Sequence, residues 1–205
     1  MSEKSIWYFL NPGEQNTEQA LSLAKTRALE IGIKHIAVAS TTGGTALKAI
    51  EAFSDTDIKV VIVSHQYGFN TPGGKHPMSP DNMNKIKELN ATLVISTLPL
   101  SSPARLFRDA MSWKSSPYTL YNTTFPTDII SDTLRMFSQG IKVCVESAVI
   151  AADAGAIPID KDIVAVAGTR RGADTAVVIK PAHMTNIFNL KIREIIAMPN
   201  YIEAL

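Results

Sequence analysis

An apolar run, Ile36-Ala37-Val38-Ala39, passes into Ser40-Thr41-Thr42-Gly43-Gly44-Thr45-Ala46 and then into an amphipathic pattern. Small hydroxyl residues and two glycines let the backbone turn tightly and come close to a ligand. A helix starting there aims its unpaired N–H groups and positive dipole end at an anion. The natural guest is a phosphate. An ordinary strand-to-helix turn, in which Thr42 or Thr45 caps the helix and nothing binds, fits the same residues.

A second stretch, Gly168-Thr169-Arg170-Arg171-Gly172-Ala173-Asp174-Thr175, repeats that chemistry. It has two glycines for close backbone approach, hydroxyls on Thr169 and Thr175, and two guanidinium groups able to face a phosphate. A surface hairpin with solvated arginines is the alternative. A third stretch, Ser64-His65-Gln66-Tyr67-Gly68-Phe69, leads into residues 70–80, rich in glycine and proline. It leaves the end of an apolar run, where open sheets present their ligand-contacting loops.

Other chemistries find less support. Ser64 with His65, or Cys144 with His183, are the candidate nucleophile and base pairs of a hydrolase. Neighbouring side chains leave an extended backbone on opposite sides, and Cys144 lies in an apolar helical pattern where packing is its expected role. His35, His65, His76 and His183 are scattered without i,i+4 pairing, so no metal site is expected. Glu146 interrupts an otherwise apolar helix. An i,i+4 pair with Lys142 is its expected role, and a ligand contact the lesser one.

The elements that must position these residues follow from periodicity and turn residues. Residues 6–10 read as a short strand ending at Asn11-Pro12-Gly13. A helix follows, capped by Asn16 with Gln19 as capping-box partner, burying Leu21, Ala24, Ala28 and Ile31 before Gly32 ends it. Residues 33–39 make a central strand and 58–63 another. The helix between them carries Ala46, Ala49, Ile50 and Phe53 on one face, which implies a right-handed parallel crossover. A helix over 81–89 and a strand over 92–96 complete a second crossover. Residues 98–124, broken by Ser101, Ser102, Pro103, Ser115, Ser116 and Pro117, read as an excursion with helical pieces, and 128–137 as a further helix. Residues 141–154 make a buried helix stopped by Gly155. Three strands close the chain, over 163–167, 176–179 and 192–198. The link between the first two is too short for a helical crossover, so they should be antiparallel.

Composition bounds the function. The chain has 205 residues, 45% of them apolar and 19% charged, without repeats or low-complexity tracts, and one domain over 1–205 is the simplest parse. Twenty basic against 19 acidic residues give a net charge of +1, so no field draws the protein to nucleic acid or an anionic membrane. The single cysteine excludes an internal disulfide. It fits a reducing compartment, and with no leader-like segment at Met1–Ser5 and no apolar run of transmembrane length, a cytoplasmic protein is expected.

Taken in order, the Thr41–Ala46 and Gly168–Gly172 loops resemble the C-terminal domain of pyruvate kinase, where two such loops hold a sugar-phosphate effector. The chain is more similar still to a family of free-standing proteins like that domain. The matching pieces are Tyr8-Phe9, Pro12-Gly13, Asn16-Thr17, the run from Val38 to Ala46, His65 to Phe69, and Lys142-Val143-Cys144-Val145-Glu146. They continue through Ala151-Ala152-Asp153, Gly172 to Ala176, Pro181-Ala182-His183-Met184 and Met198-Pro199. The resemblance implies a three-layer α/β/α fold with a mainly parallel sheet and antiparallel closing strands, a homo-oligomer, and a bound flavin mononucleotide (FMN). By that resemblance the phosphate sits on Ser40, Thr41, Thr42, Gly43, Gly44 and Thr45. The ribityl and ring portions lie between His65, Gly68 and Phe69 on one side and Gly168, Thr169, Arg170, Gly172, Ala173, Asp174 and Thr175 on the other. Pyruvate kinase activity is not expected, because that enzyme's catalytic barrel is a separate domain for which 205 residues leave no room. A flavoenzyme and a non-catalytic sensor of a phosphorylated metabolite both remain open. One departure stands out. Where the family has His-x-Leu-Ser-Gly-x-Glu-Arg, this chain reads Leu98-Pro99-Leu100-Ser101-Ser102-Pro103-Ala104-Arg105, without the histidine, glycine and glutamate.

Overall fold

The computed structural model describes residues 3–101 and 125–200. Among these residues seven strands form one sheet: β1 (Trp7–Phe9), β2 (His35–Ala39), β3 (Lys59–His65), β4 (Thr92–Ser96), β5 (Ile163–Ala167), β6 (Thr175–Lys180) and β7 (Lys191–Pro199). Their order is β1-β7-β6-β5-β2-β3-β4. β2 pairs parallel with β3 and β5, β3 with β4, and β1 with β7, whereas β6 runs antiparallel to both of its neighbours. The antiparallel β5–β6 pairing follows from the short link between them.

Five helices among the described residues cover the sheet: α1 (Thr17–Glu30), α2 (Gly44–Ala52), α3 (Pro80–Glu88), α4 (Pro126–Arg135) and α5 (Gln139–Asp153). The crossovers β1–α1–β2, β2–α2–β3 and β3–α3–β4 all progress toward the same edge. A right-handed connection therefore puts α1, α2 and α3 on one face. Their Ala20, Leu21, Ala24, Ala46, Ala49 and Ile86 pack with Ile36, Val38, Ile62 and Val164. The chain then returns from β4 to β5 in the opposite direction, so α4 and α5 occupy the other face. There Ile141, Cys144, Val145 and Ala148 meet Ala37, Val61, Val63, Ala165 and Val177. The result is the three-layer α/β/α architecture with helices on both faces of a mainly parallel sheet.

Two local expectations are corrected. Asn16 holds the N-cap position of α1 but its side chain makes no capping bond: its Nδ2 donates to the Asn11 carbonyl at 2.7 Å, and Glu14–Asn16 form a 3₁₀ turn that runs directly into the helix. Ile31 is not part of the buried face, because it sits at the helix C-cap, 42% exposed. The excursion expected over 98–124 falls outside the described residues from 102 onward.

Candidate functional site: a cleft at the carboxyl ends of the strands

β2 ends at Ala39, and Ser40 continues it with an N–H donated to the Val63 carbonyl at 2.9 Å. Neither Thr42 nor Thr45 caps α2. The Ser40 hydroxyl instead accepts the Ala46 N–H at 3.2 Å, and Gly43 takes the N-cap position with φ 99°. The first-turn amides of α2 have no partner within the helix and lie at its positive end.

The two glycines of the turn do different things. Gly43 is buried against α3: a Cβ there would stand 2.9 Å from Asn82, whose Nδ2 donates to the Thr42 carbonyl at 2.9 Å. Gly44 faces open space, and a Cβ there would meet nothing within 4 Å. That space is a cleft of about 1020 Å³.

Ser40, Thr41, Thr42, Gly44 and Thr45 line one side of the cleft; Gly168, Thr169, Arg170, Arg171 and Gly172 line another. The two separated bends therefore meet at one edge of the sheet. Arg170 and Arg171 are exposed and form no ion pair among the described residues. Arg135, also in the lining, is held by Asp132 at 2.5 Å and Gln139 at 3.0 Å.

His65 and Phe69 form a further wall, their rings stacked at 3.6 Å with 6° between planes. His76 braces their loop. Its Nδ1 accepts the Met78 N–H at 2.9 Å, so Nε2 carries the proton and donates to the His65 carbonyl at 2.7 Å. Gly68 is placed in the same loop, where its N–H donates to the Lys75 carbonyl at 2.8 Å, outside the cleft lining.

Ala173, Asp174 and Thr175 also lie outside the lining, all fully buried. Asp174 Oδ2 accepts the N–H groups of Gly13 at 2.9 Å and Thr169 at 3.0 Å, while Oδ1 accepts the Thr175 hydroxyl at 2.8 Å. The Ala173 N–H donates to Thr17 Oγ1 at 3.0 Å. A Cβ on Gly172, at φ 72°, would fall 2.4 Å from that oxygen and 2.5 Å from Glu14 Cα. These residues clamp the hairpin onto the start of α1 and bring Glu14 into the cleft wall.

Sequence reasoning kept Glu146 only as a lesser ligand contact and missed the rest of the floor of the site. Ser101, Lys142, Glu146 and Ser147 line it, all buried. Lys142 Nζ donates to Ser101 Oγ and to Glu146 Oε2, and Glu146 Oε1 accepts the N–H groups of Leu100 at 3.0 Å and Ser101 at 3.1 Å. The i,i+4 pair read from α5 is therefore present, but inside the protein, holding the loop after β4. Leu100 and Ser101, which the divergent 98–105 stretch shares with the family pattern, are the two residues whose amides Glu146 holds.

The hydrolase pairings do not assemble. Ser64 Oγ donates to the Thr41 carbonyl at 3.4 Å, and Cys144 donates to the Ala165 carbonyl at 3.5 Å within the core, where burial pushes its thiol well up. His183 pairs with Asp153 at the far end of α5, nine residues from Cys144 and so about 13 Å along the axis. His35 opens β2, at the opposite end of that strand from the cleft. Among the described residues no helix is long and apolar enough to cross a membrane.

Residues 18–179 match the sequence model of the family described as the pyruvate kinase alpha/beta domain. Among solved structures, the chain is similar to a pyruvate kinase from Cryptosporidium parvum at 14% identity and a TM-score of 0.36, covering 79% of this chain and 22% of that one. It thus spans about a fifth of the length of that enzyme. With the family model matched over most of its length, the chain belongs to the pyruvate kinase alpha/beta domain family.

Proposed function

We propose that this protein binds a phosphorylated cofactor, FMN, with its phosphate at the N-terminus of α2. The observation that carries the reading is the meeting of the α2 turn and the Arg170–Arg171 hairpin in one cleft. A phosphate there gains hydrogen bonds from first-turn amides, the favourable end of the helix dipole, and guanidinium groups not otherwise paired among the described residues. The open space over Gly44 leaves room for a phosphate to approach the backbone. The stacked His65 and Phe69 rings offer a flat wall to a planar ring system, and the hydroxyls of Thr41, Thr42, Thr45 and Thr169 suit a ribityl chain. When bound, the flavin would supply redox chemistry, while the chain would hold and orient it.

The hydroxyl-rich lining supports a second reading, a sensor of a sugar phosphate without catalysis. One binding series separates the two: FMN, riboflavin, inorganic phosphate and a panel of sugar phosphates, read by calorimetry on the full chain. FMN should bind at least tenfold more tightly than riboflavin, about 1.4 kcal/mol, because riboflavin lacks the phosphate. Equal affinity for FMN and riboflavin removes the phosphate assignment. Sugar phosphates binding where FMN does not would select the sensor.

A further inference from the structure

The hairpin between β5 and β6 holds a backbone conformation that suits glycine and places an arginine in it. Among the described residues, every position with a left-handed φ is glycine except Asn70 at 52°, Asn90 at 55° and Arg170 at 66°. Asparagine tolerates that region because its short amide bonds to nearby backbone. Arginine has no such compensation, and its Cβ crowds the following carbonyl oxygen. The Arg171 N–H donates to the Thr169 carbonyl at 2.9 Å, closing a three-residue turn around Arg170. With a positive central φ this is the rare, strained hand of the γ-turn.

Glycine would relax this turn, and the hairpin already uses glycine where a side chain would collide. A Cβ on Gly168 would lie 2.7 Å from the Gly172 carbonyl oxygen, and one on Gly172 would lie 2.4 Å from Thr17 Oγ1. Those close approaches, with Asp174 Oδ2 accepting the Thr169 N–H at 3.0 Å, hold the turn in place from its base. The arginine gives the fold nothing visible in return. It is exposed, and its guanidinium has no ion-pair partner among the described residues. What it does border is the cleft. Arg171 carries the same charge into the same lining, but its backbone lies outside the left-handed region. Only Arg170 combines strain, exposure and a place at the cleft, and strained backbone kept without a structural need is characteristic of residues that meet a ligand.

We infer that Arg170 is the specificity-determining residue of the cleft: the strained turn carries its guanidinium to the phosphate monoester of the ligand, so that stability is given up for anion recognition. This rests on the phosphate reading above and separates two arginines which that reading treats alike. The planar guanidinium presents paired N–H donors that match two oxygens of a phosphate at once, and a shorter residue suited to the turn, glycine or asparagine, cannot supply them.

The test pairs thermal melts with calorimetry on the full chain, for the wild type, Arg170→Gly, Arg170→Asn and Arg171→Ala, with FMN, riboflavin and inorganic phosphate as probes. Both Arg170 variants suit a left-handed φ and should melt at or above the wild-type Tm, by up to about 4 °C. Both should nevertheless bind FMN at least tenfold more weakly, about 1.4 kcal/mol, with a parallel loss for inorganic phosphate and an unchanged riboflavin affinity. Agreement between the glycine and asparagine variants assigns the loss to the missing guanidinium, since only glycine loosens the loop. Arg171→Ala should lose less than a third as much affinity. A clear fall in Tm in both Arg170 variants shows that the arginine supports the fold and overturns the proposal. So does FMN affinity that stays at the wild-type value, or an equal loss in Arg171→Ala, and either result leaves the FMN reading standing. If a sugar phosphate binds in place of FMN, the FMN reading falls and the same loss is expected with that ligand. Failure of the wild type to bind FMN, inorganic phosphate or any sugar phosphate overturns both.

Discussion

Asp174 Oδ2 accepts the backbone N–H of Gly13 at 2.9 Å, joining two turns that are 161 residues apart in the chain. The same oxygen holds the Thr169 amide of the hairpin, so one carboxylate sets the distance between the arginine-bearing loop and the start of α1.

Asp174→Ala leaves two N–H groups without their acceptor, one on each loop. The expected loss is about 3 kcal/mol, since each half-buried donor stranded this way costs on the order of 1–2 kcal/mol, within the roughly 1–3 kcal/mol of a buried one. For a chain of this size that lowers Tm by about 6–12 °C. Urea unfolding checks it: a loss below about 1 kcal/mol shows that the latch does not hold the hairpin.

Adjacent glycines should respond oppositely. Gly43→Ala forces a side chain into a left-handed backbone against Asn82 and should cost about 1–2 kcal/mol. Gly44→Ala points into open space on the first turn of a helix and should leave stability unchanged or raise it by up to about 1 kcal/mol. Gly44→Leu should fold like the wild type and lose phosphate-ligand affinity by tenfold or more in calorimetry. Undiminished affinity in that variant moves the anion away from α2.

Lys142→Met alone leaves the Glu146 carboxylate buried without its cation and should destabilise by about 3–5 kcal/mol. Pairing it with Glu146→Gln should recover most of that loss in thermal melts. If the double variant is no more stable than the single one, the two side chains are not energetically coupled.

His35 gives a pH signature. Burial, followed by the nearby Lys59 and Lys161 charges, lowers its folded-state pKa below the ordinary histidine value. The unfolded chain therefore binds more protons, and stability is full above about pH 6.5 and falls as pH drops toward the folded value. Wild type and His35→Gln should show parallel stabilities above about pH 7 and diverge below about pH 6.5, the wild type losing more. Identical pH profiles would count against that burial.

Most of the sheet could be read from local patterns, because β2 and β3 are short apolar runs between turn residues and the β5–β6 link is too short to cross over. The two cleft-lining bends were legible for the same reason, since glycines and hydroxyls at strand ends have a local meaning. Their division of labour was not. Gly43 and Gly44 are indistinguishable as letters and differ in the fold by the left-handed backbone of Gly43 and by Asn82, 39 positions after it, standing beside it. Asp174 belongs to the same short stretch as Arg170, yet one of its partners, Gly13, comes from the other end of the chain. The Lys142–Glu146 spacing looks the same on a wet or a buried helix. Only Ser101, 41 residues earlier and from the loop after the edge strand β4, reveals that it forms the cleft floor.

β1 has a single strand neighbour among the described residues, β7, with Trp7 opposite Ala197. During synthesis β1 must stay unpaired until its distant partner has left the ribosome, a wait of roughly ten to forty seconds at common elongation rates. Trp7, Tyr8 and Leu10 remain largely exposed even in the finished fold, so this interval is when the protein offers a sticky, unzipped ribbon to its surroundings. Chaperone dependence and loss to aggregates should therefore concentrate at this margin of the sheet.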